Sequence, residues 1–265
     1  VTQKTLTETT LAALQQTLDA GASPETLNRA LRLLAKWRSQ LIGNTIQHRD
    51  GATVQHGPFK GMSFSTRSTE GARAARILGA YEASLIPVIE EIIARNYPLV
   101  VDIGSAEGYY AVGLARRMPG VRVLARDASE IAQAACRSLA IENGVAARVQ
   151  VGGLFGHADF EALEGPRVVI CDIEGAEVEL LDPEKAPSLT RTDILVECHD
   201  GIVERATETL VARFRASHEI TRIERQLAGN CLPGWMDGFS DLDRLLALWE
   251  WRSGPTPWLW MRAKA

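Results

Sequence analysis

The sequence predicts an α/β protein built on a doubly wound, mostly parallel seven-stranded sheet, with a helical and hairpin appendage at its N-terminus. Three observations predict it. After Tyr97, short apolar runs alternate with helical stretches, and this βαβα rhythm sets successive strands parallel with helices on both faces. The run Leu99, Val100, Val101, Ile103 lacks the polar alternation of a half-exposed strand and so reads as buried on both faces. VVDIGSAEG, residues 100–108, then puts Asp102 at the end of that strand with Gly104 and Gly108 behind it, where such sheets receive ligands.

Taken in order, residues 5–20 place Leu6, Leu11, Leu14 and Leu18 at near-helical spacing, and Gly21 follows as a helix terminator. Ser23 caps a second helix that Pro24 opens, with Leu27, Leu31, Leu34, Trp37 and Leu41 along one face. Such stripes need cover, from the chain's own domain or from a partner subunit as a dimer arm. TIQHRDGATVQH, residues 45–56, reads as a hairpin because Asp50-Gly51 is a favoured two-residue turn. The stretch 70–96 is helical again, with Pro87 starting or kinking a helix. Strands are expected at 99–103, 121–126, 147–152, 167–172 and 192–198, and helices at 107–118, 129–143 and 175–181. HEITRIER and PWLWMRA add two strands around an insert that contains the helix-like DLDRLLALWE. The expected division is an appendage over 1–66, acting as a cap or dimer arm, and a main domain over 67–265.

With 265 residues, 46% hydrophobic and 23% charged, the chain has the make-up of a soluble globular protein with a sizeable core. A net charge of −4 gives no global basic field, which disfavours a nucleic-acid partner. Cys136, Cys171, Cys198 and Cys231 are too widely spaced for a disulfide framework or a CxxC zinc site, and a reducing cytoplasm suits them. No apolar stretch reaches the ~20 residues that cross a bilayer, and TQKTLTETT has no signal-peptide core.

The GSAEG turn lets backbone approach a ligand closely, and the helix behind it offers free amides. It is not the GxGxxG of dinucleotide sites. A second acid, Asp127, ends the second strand, where ribose hydroxyls are received, so the two strand ends together indicate a nucleoside-bearing cofactor. A helix over about 81–95 brings Glu82 near the same loop, either toward a cofactor's ammonium group or as an acid complementing a helix dipole.

VDIGSAEGYYAVGLA resembles motif I of class I S-adenosylmethionine-dependent methyltransferases. ILGAYE, AIENGV, and CDIEGAEVELL followed by ILVECHD are similar to the FkbM-like branch, over roughly residues 76–200. The resemblance implies a Rossmann-like fold and S-adenosyl-L-methionine as cofactor. It implies that Gly104, Ser105, Glu107 and Gly108 surround the amino-acid half, that Asp102 supports the loop, and that Asp127 holds the ribose. Gly153, Leu154 and Phe155 would border the adenine, and GAYE points Glu82 at the ammonium.

Asp172 ends the fourth strand, and Glu197 and His199 end the fifth, over the crevice of the cofactor loop. Asp172 is therefore expected both to contact the cofactor and to join Glu197 and His199 as the catalytic set. Methyl transfer to a small-molecule acceptor needs a base, and His199 titrates in the right range. A divalent cation on Asp172, Glu197 and His199 is the less favoured arrangement, since a histidine among carboxylates is not typical of Mg²⁺. Glu174 and Glu177 read mainly as acids suited to a helix N-terminus. Trp258 and Trp260 share a strand face and read as packing, leaving Trp235 as the candidate for an acceptor pocket. The resemblance leans toward oxygen as the atom methylated. An inactive cofactor-binding scaffold and a nicotinamide oxidoreductase are the competing classes.

Overall fold

The computed structural model describes residues 5–65, 71–229, 231–252 and 254–264. Seven strands form one sheet in the order β3-β2-β1-β4-β5-β7-β6. They are β1 (Leu99–Ile103), β2 (Arg122–Arg126), β3 (Val149–Gly152), β4 (Arg167–Cys171), β5 (Asp193–Glu197), β6 (His218–Ile223) and β7 (Trp258–Ala263). The first five run parallel, and β7 is antiparallel to both β5 and β6. The strand order reverses at β1, with β2 on one side and β4 on the other, which opens the crevice in which doubly wound sheets bind ligands.

Period-two alternation divides each central strand between two cores, one on either face of the sheet. Val100, Leu195, Trp258 and Trp260 enter one core, while Leu99, Val101, Ile103, Ile194, Val196, Leu259 and Met261 enter the other. Trp258 and Trp260 are thus core residues, as their alternation predicts. The helices that connect the parallel strands are α5 (Tyr109–Arg117), α6 (Glu130–Glu142), α7 (His157–Glu161) and α8 (Glu177–Leu180), with α9 (Ala206–Phe214) between β5 and β6 and α10 (Asp241–Leu248) before β7.

The N-terminal helices are α1 (Leu6–Leu18) and α2 (Pro24–Asp50), followed by α3 (Arg73–Leu78) and α4 (Ile86–Arg95). Ser23 caps α2 by accepting from the Thr26 amide, and Pro24 opens it. One expectation needs correction. Residues 45–50 are not a hairpin arm but the last turns of α2, because Ile42 and Ile46 are buried in the core and Asp50-Gly51 ends the helix, with Gly51 at φ 84°. A small antiparallel excursion lies further on: Thr53 bridges Ser63, and the Val54 amide donates to the Met62 carbonyl. The leucine stripes stay open in part: Leu11, Leu18, Leu27, Leu31 and Leu34 are exposed, Leu6, Leu14, Trp37 and Leu41 are half-buried, and α2 buries Thr26, Ala30, Ser39, Ile42, Gly43 and Ile46, most of them in its second half. The stretch expected to begin at residue 70 starts outside the described residues and resolves into α3, a 3₁₀ turn at Ala83–Leu85, and α4 with Pro87 in its first turn.

Candidate active site

The turn after β1 is tied to the end of β2. The Gly104 and Ser105 amides donate to the Arg126 carbonyl at 2.8 and 3.0 Å, and the Ala106 amide donates to Asp127 Oδ2 at 2.9 Å. Gly104 has φ 82°, and a Cβ there would lie 1.6 Å from the Asp172 carbonyl oxygen. Its glycine is required because the turn runs directly over the end of β4. Gly108, at φ 93°, packs its α-carbon against Cys136, whose Sγ would be 2.6 Å from a Cβ. Asp127 Oδ1 accepts from the Ser129 amide at 2.8 Å. Each oxygen of Asp127 thus has one donor, and a carboxylate retains acceptor sites beyond these two.

Around this turn lies a cavity of about 840 Å³ lined by Gly104, Asp127, Gly153, Leu154, Phe155 and Asp172 among others. Asp127, expected at the ribose, and Gly153, Leu154 and Phe155, expected at the adenine, are thus brought together, with Gly104 and Asp172 beside them. Ser105, Glu107, Asp102 and Gly104 instead line a small cleft with Arg76, Tyr81 and Tyr110. Glu107 is buried there in an ion pair with Arg76 at 3.0 Å, and the Arg76 guanidinium lies 4.1 Å from the centre of the Tyr81 ring. Glu82 is buried, with a left-handed backbone at φ 48°. Its carboxylate takes Tyr110 Oη–H and Arg252, and its amide donates to Glu250 at 3.0 Å. Burial pushes the Glu82 carboxyl up to about 8 against the pull of Arg252, with Glu197 adding to the rise.

At the next two strand ends the side chains converge on His199, which is buried. Nδ1 of His199 lies 2.8 Å from Glu177 Oε1, and Nε2 lies 3.6 Å from Asp172, 3.5 Å from Glu174 and 3.4 Å from Glu197. Glu177 is fully buried and also accepts the Ile173 and Gly175 amides, so it closes the β4–α8 turn and holds the imidazole with one carboxylate. These bonds and His199 keep the Glu177 carboxyl below its ordinary value although burial opposes it. An ionised carboxylate only accepts, so Nδ1 carries the proton and Nε2 faces the crevice. Burial by itself would lower the His199 pKa, but Glu177, Glu197 and Glu174 raise it.

Glu197 is anchored from the other side. Arg252, on the loop before β7, reaches Glu197, Glu82 and Glu250, and Thr256 Oγ1 donates to Glu197 at 2.7 Å. Burial would lower the Arg252 pKa, but Glu82 and Glu197 raise it well above its usual value. A second cavity, about 670 Å³, opens beside this cluster and is lined by Asp172, Glu174, Glu197, His199, Tyr81, Trp251 and others. Trp235, expected in an acceptor pocket, lies elsewhere: its Nε1 donates to Asp50 at 2.9 Å and Arg49 stacks on its ring. The tryptophan in the cavity wall is Trp251, fixed by a 3.1 Å bond to Ser39 Oγ and by close packing on Gly71.

Reasoning from sequence missed Glu177, Arg252 and Trp251 as site residues. Glu177 sits in the quoted DIEGAE segment, but a helix-dipole account already explained an acid there. Arg252 and Trp251 lie in the unpatterned EWRSGP loop, and only the antiparallel pairing of β7 with β5 brings that loop to the crevice.

No family model and no curated protein matches the chain. Among solved structures, the chain is similar to an O-methyltransferase from Bacillus cereus in complex with SAH, with 16% identity over 67% of this chain and 79% of that one, at a TM-score of 0.46. It is similar to the O-methyltransferase TomG from Streptomyces achromogenes in complex with SAM (17% identity, 73% and 87% covered, TM-score 0.47). It is also similar to a precorrin-6y C5,15-methyltransferase from Geobacter metallireducens (11% identity, 68% and 89% covered, TM-score 0.44). The fold assignment rests on the chain's own strand order and register.

Proposed function

We propose that the protein is an S-adenosyl-L-methionine-dependent methyltransferase of the FkbM-like branch that methylates a hydroxyl oxygen of a small-molecule acceptor, with His199 as general base. The observation that carries this reading is that the 840 Å³ and 670 Å³ cavities share Asp172 and Glu174, next to His199. Two chambers of ligand size meeting at a base suit a donor and an acceptor held for one transfer. The residues fit the cofactor: a largely apolar chamber for a base, Asp127 for ribose hydroxyls, and an excess of buried acids for a group carrying a sulfonium and an ammonium.

When bound, the cofactor supplies a methyl group on a positively charged sulfur. The chain's own residues do the rest. Asp127 would hold the ribose and the 104–108 turn the amino-acid half, and Glu177 would hold the imidazole so that Nε2 can accept the hydroxyl proton of an acceptor whose oxygen takes the methyl group, the thioether sulfur leaving with the C–S bonding pair. Glu177 and Glu197 stabilise the imidazolium that forms. The 1–66 segment acts as a cap, supported by Lys36 in the acceptor chamber, and the exposed leucines of α1 and α2 support a homodimer through those helices. Among the described residues no helix is long and apolar enough to cross a membrane, and the cysteines are buried free thiols, which supports a cytoplasmic location.

A cation-assisted transfer is the second reading, because ligand atoms of Asp172, Glu177 and His199 lie within 4.8 Å of one another. It is the less favoured, since Glu177 already engages Nδ1 and Arg252 already engages Glu197 and Glu82. The test of both begins with calorimetric titration of S-adenosylmethionine and, separately, NAD, followed by transfer of labelled methyl to a metabolite pool with and without chelator. Binding of S-adenosylmethionine alone and chelator-insensitive transfer are expected. Binding of NAD in its place overturns the reading, and activity abolished by chelator and restored by Mg²⁺ moves it to the cation-assisted form.

A further inference from the structure

We infer that the acceptor is an anionic compound, a hydroxylated acid whose carboxylate is received by Lys36 while its hydroxyl faces His199; this rests on the methyltransferase reading above. The acceptor chamber is lined by charges of both signs. Asp172, Glu174, Glu197, Asp200 and Glu250 line it together with His199, and the cations of the lining are Arg76, Arg252, Arg222 and Lys36. Two of these are committed to buried acids, Arg76 to Glu107 and Arg252 to Glu82, Glu197 and Glu250. Arg222 leans on Glu224 at 2.6 Å. Lys36 alone among them makes no ion pair with a described residue.

Its ammonium is nonetheless positioned, 5.1 Å from the centre of the Trp251 ring, and Trp251 is itself locked by Ser39 and Gly71. An anion cannot lie against the carboxylates around His199 without strong repulsion, and the Lys36 ammonium has three donors that no described carboxylate takes in an ion pair. The charge pattern therefore orients the acceptor as well as selecting it: acid outward to Lys36, hydroxyl inward to Nε2. The N-terminal segment thereby supplies specificity, since Lys36 belongs to α2.

The test uses the full chain and three ring probes that differ in one substituent: 4-hydroxybenzoate, its neutral amide, and tyramine. Binding is read by calorimetry with and without S-adenosylhomocysteine. In the wild type the acid should bind about threefold to fivefold more tightly than the amide, the size of one charge contact at an exposed side chain. Lys36→Gln should erase that preference, Lys36→Arg should keep most of it, and Lys36→Glu should turn it toward tyramine. Added salt should shrink the preference in the wild type only. Equal binding of acid and amide, a preference for tyramine in the wild type, retention of acid preference in Lys36→Gln, or no binding of any probe at millimolar concentration each overturns the inference. S-adenosylhomocysteine is titrated separately: if it fails to bind while the Lys36-dependent acid preference stands, the methyltransferase reading falls and the anion site remains.

Discussion

Four carboxylates surround one imidazole, and their arrangement gives His199 two testable properties. If it is the base, His199→Ala should lower turnover by about 10² to 10⁴ with cofactor affinity nearly unchanged; full activity in that variant would remove His199 from the chemistry. Because the neutral ring is the active form and its pKa is raised above 6.5, kcat/KM should climb with pH along a limb above that value. Glu177→Gln should move the limb to lower pH and reduce turnover, while an unshifted limb would show that Glu177 is only a turn closer. The pair also bears on stability. Glu177 is lowered below 4.5 and contributes above its unfolded value, whereas His199 is raised above 6.5 and contributes below its own, so the pair is fully stabilising between 4.5 and 6.5. Its contribution falls away as pH drops through the folded Glu177 pKa or rises through the folded His199 pKa. Asp127→Ala should weaken cofactor binding by about 1.5 to 3 kcal/mol and loosen the 104–108 turn, because Asp127 also holds the Ala106 amide; unchanged calorimetric affinity would take it out of the site. At this scale Asp127, Asp172, Glu197 and His199 were legible because strand ends concentrate ligand groups. Glu177 was not, because an acid in a first helical turn already has a sufficient local reason to be there.

The turn between β4 and α8 shows how an element presets the site. Glu174 is left-handed at φ 52° and Gly175 at φ 104°, and a Cβ on Gly175 would lie 2.8 Å from Ile202. Gly175→Ala should therefore cost about 1 to 3 kcal/mol in chemical denaturation and depress turnover by displacing Glu177. An unchanged midpoint and unchanged turnover would contradict this. Most elements were readable in the sequence: the 99–103 strand matches β1, and Ser23-Pro24 marks the start of α2. The hairpin at 45–56 failed because Asp-Gly serves equally as a turn and as a helix end. What decides is Ile42 and Ile46, one helical turn apart and buried in the core, which hold the following residues in the helix.

For the whole molecule, the layered sheet and the crevice at its strand ends were legible in the sequence, but the second cavity beside His199 was not: its walls come from α2, from the turns after β4 and β5, and from the loop before β7. Distant segments meet there only through tertiary packing, for which local periodicity holds no signal. The same is true of the exposed leucines: their spacing was visible, but which of them would stay exposed was not. If those leucines join two copies, Leu27→Glu with Leu31→Glu should leave the thermal midpoint nearly unchanged and shift the mass measured by light scattering to that of one chain. An identical mass for variant and parent, whatever its value, would discard the dimer arm.

The order of the sheet also sets a timetable for synthesis. Among the described strands β6 pairs only with β7, and β7 lies between it and β5, yet β7 is the last of this sheet's seven strands to be synthesised. Until it arrives, β5 has a bare edge, β6 has no place to dock, and Glu197 lacks the Arg252 and Thr256 that hold it. A nascent chain halted before Trp258 thus carries a nearly finished cofactor crevice beside an open, apolar strand edge of the kind that recruits other chains. Completion works as a clasp: one late insertion closes the edge, seats β6 and brings Arg252 and Thr256 onto Glu197 beside His199.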